Sequence, residues 1–237
     1  NIINAAHSVI SRNKGRKSKK LWTEAEKGEK VEYYRADDDR EEARWTAAKI
    51  NELRRKDPKL KYSDFAVLYR TNVQSRRFEE LFAAKGVPFQ VLSGLRFYDR
   101  KEIKDMMSYM RLVSNPADDV SLRRIINEPK RGIGEKSMNL IEQVARVNDW
   151  SLSYAIGSDA VLAELSAKAE AALKKLSDVI STLSSEKDTM PVGEIYDTLL
   201  VQTGYLPALE DQPSLESEGR IENLLEFKSV IAEKEKE

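Results

Sequence analysis

The sequence predicts a chain of two textures, an α/β segment with a parallel sheet over residues 1–97 and an all-helical segment over 98–237. Three observations carry this reading. Strand-like and helix-like patterns alternate up to about residue 97, and strands spaced by helices imply a parallel sheet. No convincing strand pattern follows. Beyond that point the apolar residues recur at three- and four-residue steps, the period of amphipathic helices.

In the first segment "VEYYRA" (31–36), "FAVLYR" (65–70) and "FQVLS" (89–93) read as strands. "DREEARWTAAKINELRRK" (39–56) and "VQSRRFEELFAAKG" (73–86) read as helices, the latter closed by Gly86 at its C-terminus. In the second segment Asp99 is expected to cap a helix that carries Ile103, Met106, Met107, Met110 and Val113 on one face, and "NPADD" ends it and caps the next. Further helices are predicted over 118–127, 135–149, about 159–185 (Leu162, Leu165, Leu173, Leu176, Ile180, Leu183), 191–202 and 214–235. The last two flank the acidic, proline-bearing loop "LEDQPSLESE".

A chain of 237 residues has room for one large domain or two small ones, and two fits the change of texture. Forty basic and forty acidic residues cancel, so only local clusters of charge point to a partner. The run "SRNKGRKSKK" (11–20) holds six bases and reads as a solvated loop. The absence of cysteine removes disulfides and thiolate metal sites and suits a cytoplasmic protein; His7 stands alone. No apolar run is long enough to span a membrane, and the first residues carry no signal-peptide pattern. The chain opens without methionine, as an excised segment would.

Two constellations carry chemistry. In "NEPKRGIGEKS" (127–137), Pro129 disfavours continuation of one helix and Glu135 starts another, which sets Gly132 and Gly134 in the turn of a helical hairpin. Glycine there permits positive φ and leaves the backbone bare, while the unpaired amides of the next helix's first turn favour an anion. Lys130, Arg131 and Lys136 flank the turn and point to a phosphate, and Ile133 would turn back to the core. This is the logic of a helix-hairpin-helix grip on nucleic-acid backbone; a plain αα-turn has the same spacing. The second constellation is "FAVLYRTNVQSR", where Arg70, Thr71, Asn72 and Arg76 follow a strand pattern at the start of a helix, the position at which open α/β sheets gather ligands. Read without function, Asn72 caps, Arg70 pairs with an acid and Arg76 is solvated.

"FAVLYRTNVQSR" and then "VPFQVLSGLRFYDRKEIKDMMSYMRLVSNPADDVSLRRIINEPKRGIG" resemble the UvrD/PcrA/Rep family of superfamily-one DNA helicases, most densely from 62 to 145 and at pattern level through "EGRIENLLEF" (218–227). The resemblance implies that residues 1–97 are part of a RecA-like parallel α/β motor domain, 2A, and that 98–237 are most of the helical insertion 2B. It implies an ATP-driven 3′-to-5′ translocase and strand separator. Arg70, Asn72 and Arg96 would contact single-stranded DNA, with Thr71 and Arg76 beside them. Lys130, Arg131, Gly132, Ile133, Gly134, Lys136 and Ser137 would contact the duplex ahead of the fork. Ser93 stands where the family often has glycine.

The sequence has no "GxxxxGK[ST]" phosphate loop and no acidic pair after an apolar strand to hold Mg²⁺. No cofactor is therefore expected in this segment, ATP and Mg²⁺ belonging to the parent helicase. Two rivals remain open. One is a helical docking or autoregulatory module that meets a repair or transcription protein; the other is an RNA-directed member of the same helicase class.

Overall fold

The computed structural model describes residues 1–13, 21–92 and 94–236, and the chain divides into two compact units, Asn1–Lys56 and Asp57–Glu237. Most of the basic run at 11–20, together with Ser93, lies outside the described residues.

Among the described residues the first unit holds two helices, α1 (Ile2–Ile10) and α2 (Asp39–Lys56). Acids in the first turn of α2 and bases in its last complement the helix dipole, and Ala43, Ala47 and Ile50 form its buried stripe. Glu41 anchors the entry to this helix, accepting from the Asp37 amide at 2.7 Å and the Tyr34 hydroxyl at 2.5 Å, while the Tyr34 ring stacks on Trp45 with centroids 4.6 Å apart.

In the second unit α3 (Ser75–Ala84) ends as expected at Gly86, whose φ of +64° suits glycine and lets the Val87 amide reach back to the Phe82 carbonyl at 2.8 Å. The axis of the unit is α4 (Lys101–Ser114). Ile103, Met106, Tyr109 and Leu112 on this helix are fully buried, and it packs against α5 (Asp119–Ile125), α9 (Ala167–Glu186), α10 (Val192–Gln202) and α12 (Leu215–Lys234). Between these run α6 (Glu135–Asn148), the short α7 (Leu152–Ala155) and α8 (Asp159–Leu162), and α11 (Tyr205–Glu210). Asp118 caps α5 by accepting from the Ser121 amide at 3.0 Å and its hydroxyl at 2.6 Å, and Ser214 caps α12 through the Ser217 amide at 3.0 Å.

The expected parallel α/β fold is corrected: the described residues contain no strand and no sheet, and the architecture is helical. Residues 31–36 and 65–69 run as irregular chain without a ladder, and so do the described residues of 89–93. Alternation and β-branched side chains set a side-chain rhythm, but a strand exists only where a second extended segment lies alongside to exchange backbone hydrogen bonds. None of the three segments supplies that ladder to another. The apolar residues that suggested burial are open, with Tyr33 87%, Leu68 92% and Leu92 78% exposed.

Two helix boundaries also move. The predicted helix 159–185 is broken into α8 and α9 because Ser166 adopts extended backbone and caps α9 through the Ala169 amide at 3.4 Å. Asp99 does not cap α4; it closes a 3₁₀ turn, Phe97–Asp99, and its carboxylate pairs instead with Lys104 at 2.8 Å, which holds its pKa low.

If α4 is the axis of the core, Leu112→Ala, at a site with 0% exposure, should cost about 2–5 kcal/mol through lost transfer energy and a cavity. Val120→Ala, at 79% exposure on α5, should stay within about 0.5 kcal/mol. Urea unfolding midpoints of the two variants decide this, and equal midpoints would displace α4 from that role.

Candidate nucleic-acid interface

The "YRTN" segment forms a tight turn held from within. Thr71 leads into a 3₁₀ turn, Asn72–Gln74, and the Gln74 side-chain oxygen accepts from the amides of Arg70 at 2.8 Å and Thr71 at 3.1 Å. Arg100, 7% exposed, donates to the Asn72 carbonyl at 2.8 Å and to the Ser75 hydroxyl at 3.0 Å, and that hydroxyl donates on to Glu79 at 2.6 Å. With the backbone spoken for, the side chains of Arg70 and Asn72 stand exposed with no partner among the described residues.

Arg96 approaches the same neighbourhood along a different stretch of chain. The next residue, Phe97, is fully buried, gives its amide to Glu79 at 3.1 Å and lies under the Arg100 guanidinium at 5.2 Å. Glu79 and Arg100 therefore tie the Asn72 turn and the Arg96 turn to one another. The Arg96 side chain is exposed, with its guanidinium 5.3 Å over the Phe89 ring.

Arg76 is drawn inward. It is 2% exposed, its Nε lies 2.5 Å from Glu226, and its Nη1 lies 3.1 Å from both oxygens of Glu80. Arg77 pairs with Glu233 beside it, so two arginines fasten α3 to α12. In this conformation Arg76 offers no face to a phosphate, because a guanidinium leaving water needs carboxylates around it and these have it enclosed. Tyr98 shares Glu80, at 2.9 Å, and burial together with that carboxylate pushes its hydroxyl up to about 12.

Arg100 continues the network. Its Nη1 donates to Asn223 of α12 at 2.6 Å, and the Asn223 amide donates to Glu102 at 2.6 Å. Burial lowers the pKa of Arg100, with Glu79 and Glu102 working the other way.

The glycine turn is built on the same plan. Asn127 accepts from the amides of Arg131 at 2.8 Å and Ile133 at 3.3 Å, which closes the loop around the cis Glu128–Pro129 bond. Arg131, 5% exposed, turns its guanidinium into the protein, onto the carbonyls of Ile125 at 2.8 Å, Ile126 at 3.1 Å, Glu128 at 3.2 Å and Thr203 at 3.0 Å, and onto the Tyr109 hydroxyl at 2.7 Å. Those first carbonyls are the C-terminal end of α5, where a cation belongs. Tyr109 donates in turn to the Glu128 carbonyl at 2.6 Å, and burial raises its pKa and keeps it a neutral donor. Arg131 is thus a structural clamp with no surface for a ligand, and Ile133, 6% exposed, joins the core as its apolar character predicts.

What the turn leaves outside is distinctive. Gly132 has φ +78° and needs to be glycine for its backbone; Gly134, at φ −95°, does not. A Cβ at either would meet nothing within 4 Å, so the bareness is not demanded by packing. Gly134 is the N-cap residue of α6, and the amides of Glu135, Lys136 and Ser137 have no acceptor among the described residues. Lys130 and Lys136 are exposed beside them and Ser137 is half-buried; the exposed Glu135 is the one acid in that first turn.

Sequence reasoning did not single out Gln74, Glu79, Arg100, Asn127 or Asn223. Asn127 carried a signal, an asparagine at a helix end before Glu-Pro. The Arg100–Asn223 bond spans 123 residues and carried none.

Comparison with known proteins agrees with the motifs. The family described as "UvrD-like helicase C-terminal domain" matches residues 1–237. The chain is 43% identical over 229 residues to the ATP-dependent DNA helicase PcrA of Bacillus subtilis and to that of Staphylococcus aureus, covering 97% of this chain and 31% of those proteins. It is 43% identical over 230 residues to PcrA of Staphylococcus epidermidis, with the same coverage. The chain therefore spans about a third of the length of these relatives. A matched span of this extent, carrying both the clamped "YRTN" turn and the bared "GIG" turn, places the chain in the UvrD-like helicase family, in its C-terminal domain.

Proposed function

We propose that this chain is the DNA-gripping part of an ATP-dependent DNA helicase. Single-stranded DNA is contacted through Arg70, Asn72 and Arg96, with the Thr71 turn beneath them. The backbone of the duplex ahead is contacted through Gly132, Gly134, Lys130, Lys136 and Ser137. The division follows the expected boundary near residue 97, single-strand contacts before it and duplex contacts after it. Strand separation with 3′-to-5′ polarity is the activity the family resemblance implies for the whole helicase. The observation that carries the reading is the sorting of bases at the glycine turn: Arg131 is spent inside on carbonyls, while Lys130 and Lys136 flank open amides and a glycine that the protein's own packing does not require.

ATP and Mg²⁺ belong to the whole helicase. The residues here do not fit such a centre: the sequence has no phosphate loop, and among the described residues no three His, Cys, Asp or Glu side chains are placed to hold a metal ion. Steady-state ATPase of the 237-residue chain, with single-stranded DNA present at saturation, should stay at background. Turnover that survives repurification would remove this reading.

Arg70→Ala and Arg96→Ala should weaken single-strand binding alike across sequences and flatten the salt dependence by roughly one contact each, while stability changes by no more than about 0.5 kcal/mol. Filter binding at several salt concentrations, beside thermal melts, tests both halves. Early melting with normal binding would make either residue structural.

At the glycine turn, Lys130→Ala combined with Lys136→Ala should lower the salt slope for a fluorescent hairpin duplex by roughly two contacts without loss of stability. Gly134→Phe has room to fold and should block approach. Arg131→Ala, by contrast, strips several buried acceptors and should cost at least about 3 kcal/mol in stability. If the lysine pair and Gly134→Phe bind duplex as the parent does, the turn is only a turn and the helical docking reading replaces this one.

A further inference from the structure

Arg70 and Asn72 reach solvent from one turn and Arg96 from another, and a buried polar brace joins the two stretches of chain beneath them. Its centre is Glu79 on α3, 9% exposed. One carboxylate oxygen accepts from the Ser75 hydroxyl at 2.6 Å, at the end of the Asn72 turn, and the other accepts from the Phe97 amide at 3.1 Å, one residue after Arg96. A second strap crosses between the same stretches in the other direction. Arg100, which closes the Phe97–Asp99 turn, sends Nη2 to the Asn72 carbonyl at 2.8 Å and to the Ser75 hydroxyl at 3.0 Å. The Ser75 hydroxyl is the node where both straps meet.

Ser75, Glu79 and Arg100 are too deeply buried to meet a strand, so any effect they have on binding passes through the turns they hold. Groups that must be ordered on binding give up affinity, whereas two contacts held at a fixed separation let the first place the second. We infer, on the reading that Arg70 and Arg96 contact single-stranded DNA, that Glu79 and Arg100 are positioning residues that make the two turns one bipartite grip. Once one arginine has met the strand, the other stands ready at its own phosphate. What the grip uses is the link through Glu79 and not its charge. A glutamine at this position keeps the link: its oxygen takes the Phe97 amide, and its NH₂ donates to the Ser75 hydroxyl, whose proton turns to the Asn72 carbonyl 2.9 Å away.

A double-variant cycle on the 237-residue chain, titrated with fluorescent oligothymidylate at low salt, tests this. In the unaltered chain, Arg96→Ala should weaken binding several times more when Arg70 is present than when it is replaced by alanine. In Glu79→Ala the ratio of those two losses should fall towards one, while the salt slope stays as it was, because no phosphate contact has gone. Partial unfolding would scale every affinity in that background alike and cancel in the ratio, so lost stability cannot mimic the result. Ser75→Ala removes the node with less burden on folding and should also lower the ratio; it carries the test if Glu79→Ala does not fold. Glu79→Gln should keep the ratio. A ratio near one in the unaltered chain overturns the inference, as does one that survives in Glu79→Ala, or in Ser75→Ala where Glu79→Ala does not fold. Glu79→Gln behaving as Glu79→Ala does would overturn it too, by making charge the operative feature. If neither Arg70→Ala nor Arg96→Ala weakens binding at all, the single-strand reading itself has failed and takes the inference with it.

Discussion

Two inward-pointing arginines organise the second unit. Arg100 holds the Asn72 carbonyl and Asn223; Arg131 holds the end of α5, the Thr203 carbonyl and the Tyr109 hydroxyl. Each uses the fan of donors that a guanidinium carries to satisfy backbone oxygens that irregular chain would otherwise leave bare in the interior. Because those oxygens are satisfied from inside, and the turn amides by Gln74 and Asn127, the turns above them need nothing from their basic side chains. Arg70, Arg96, Lys130 and Lys136 are left to solvent for that reason. The division of basic residues between interior and surface is therefore a single design repeated, one base buried to set the backbone and its neighbours released.

This division also explains which parts of the site were legible in the sequence. The glycine turn announced itself through proline, paired glycines and flanking bases, all of them local signals. Ile133 was readable because an apolar residue between two glycines has only the core to go to. Arg131 and Lys130 look alike in sequence, yet one is buried and the other exposed, since what separates them is Thr203 and Tyr109, residues brought near only by packing. Arg76 misleads in the same way, because its partner Glu226 is 150 residues distant. Charge sign is local information, whereas charge partnership is tertiary.

The fold was legible to the extent that its signals were helical. Most of the helix boundaries from residue 101 onward follow the three- and four-residue steps, because the periodicity of a helix is satisfied by the segment itself. The strands were misread for the complementary reason. Residues 65–70 have the composition and alternation of a strand, but a ladder belongs to two segments at once, and none of the described ones lies alongside. The short α7 and α11 were missed since fewer than two turns offer too few residues to show a period.

Arg100 immediately precedes α4 and Tyr109 lies within it, so the helix fixes the remove between them. Nine residues of α-helix span roughly 13 Å and two and a half turns, so α4 acts as a gauge that sets the station of one clamp against the other. Lengthening it by one residue would turn Tyr109 by about 100° relative to Arg100 and take its hydroxyl away from the Arg131 guanidinium and the Glu128 carbonyl. The number of residues between Arg100 and Tyr109 is thus set by geometry, whichever side chains line the outer face of α4.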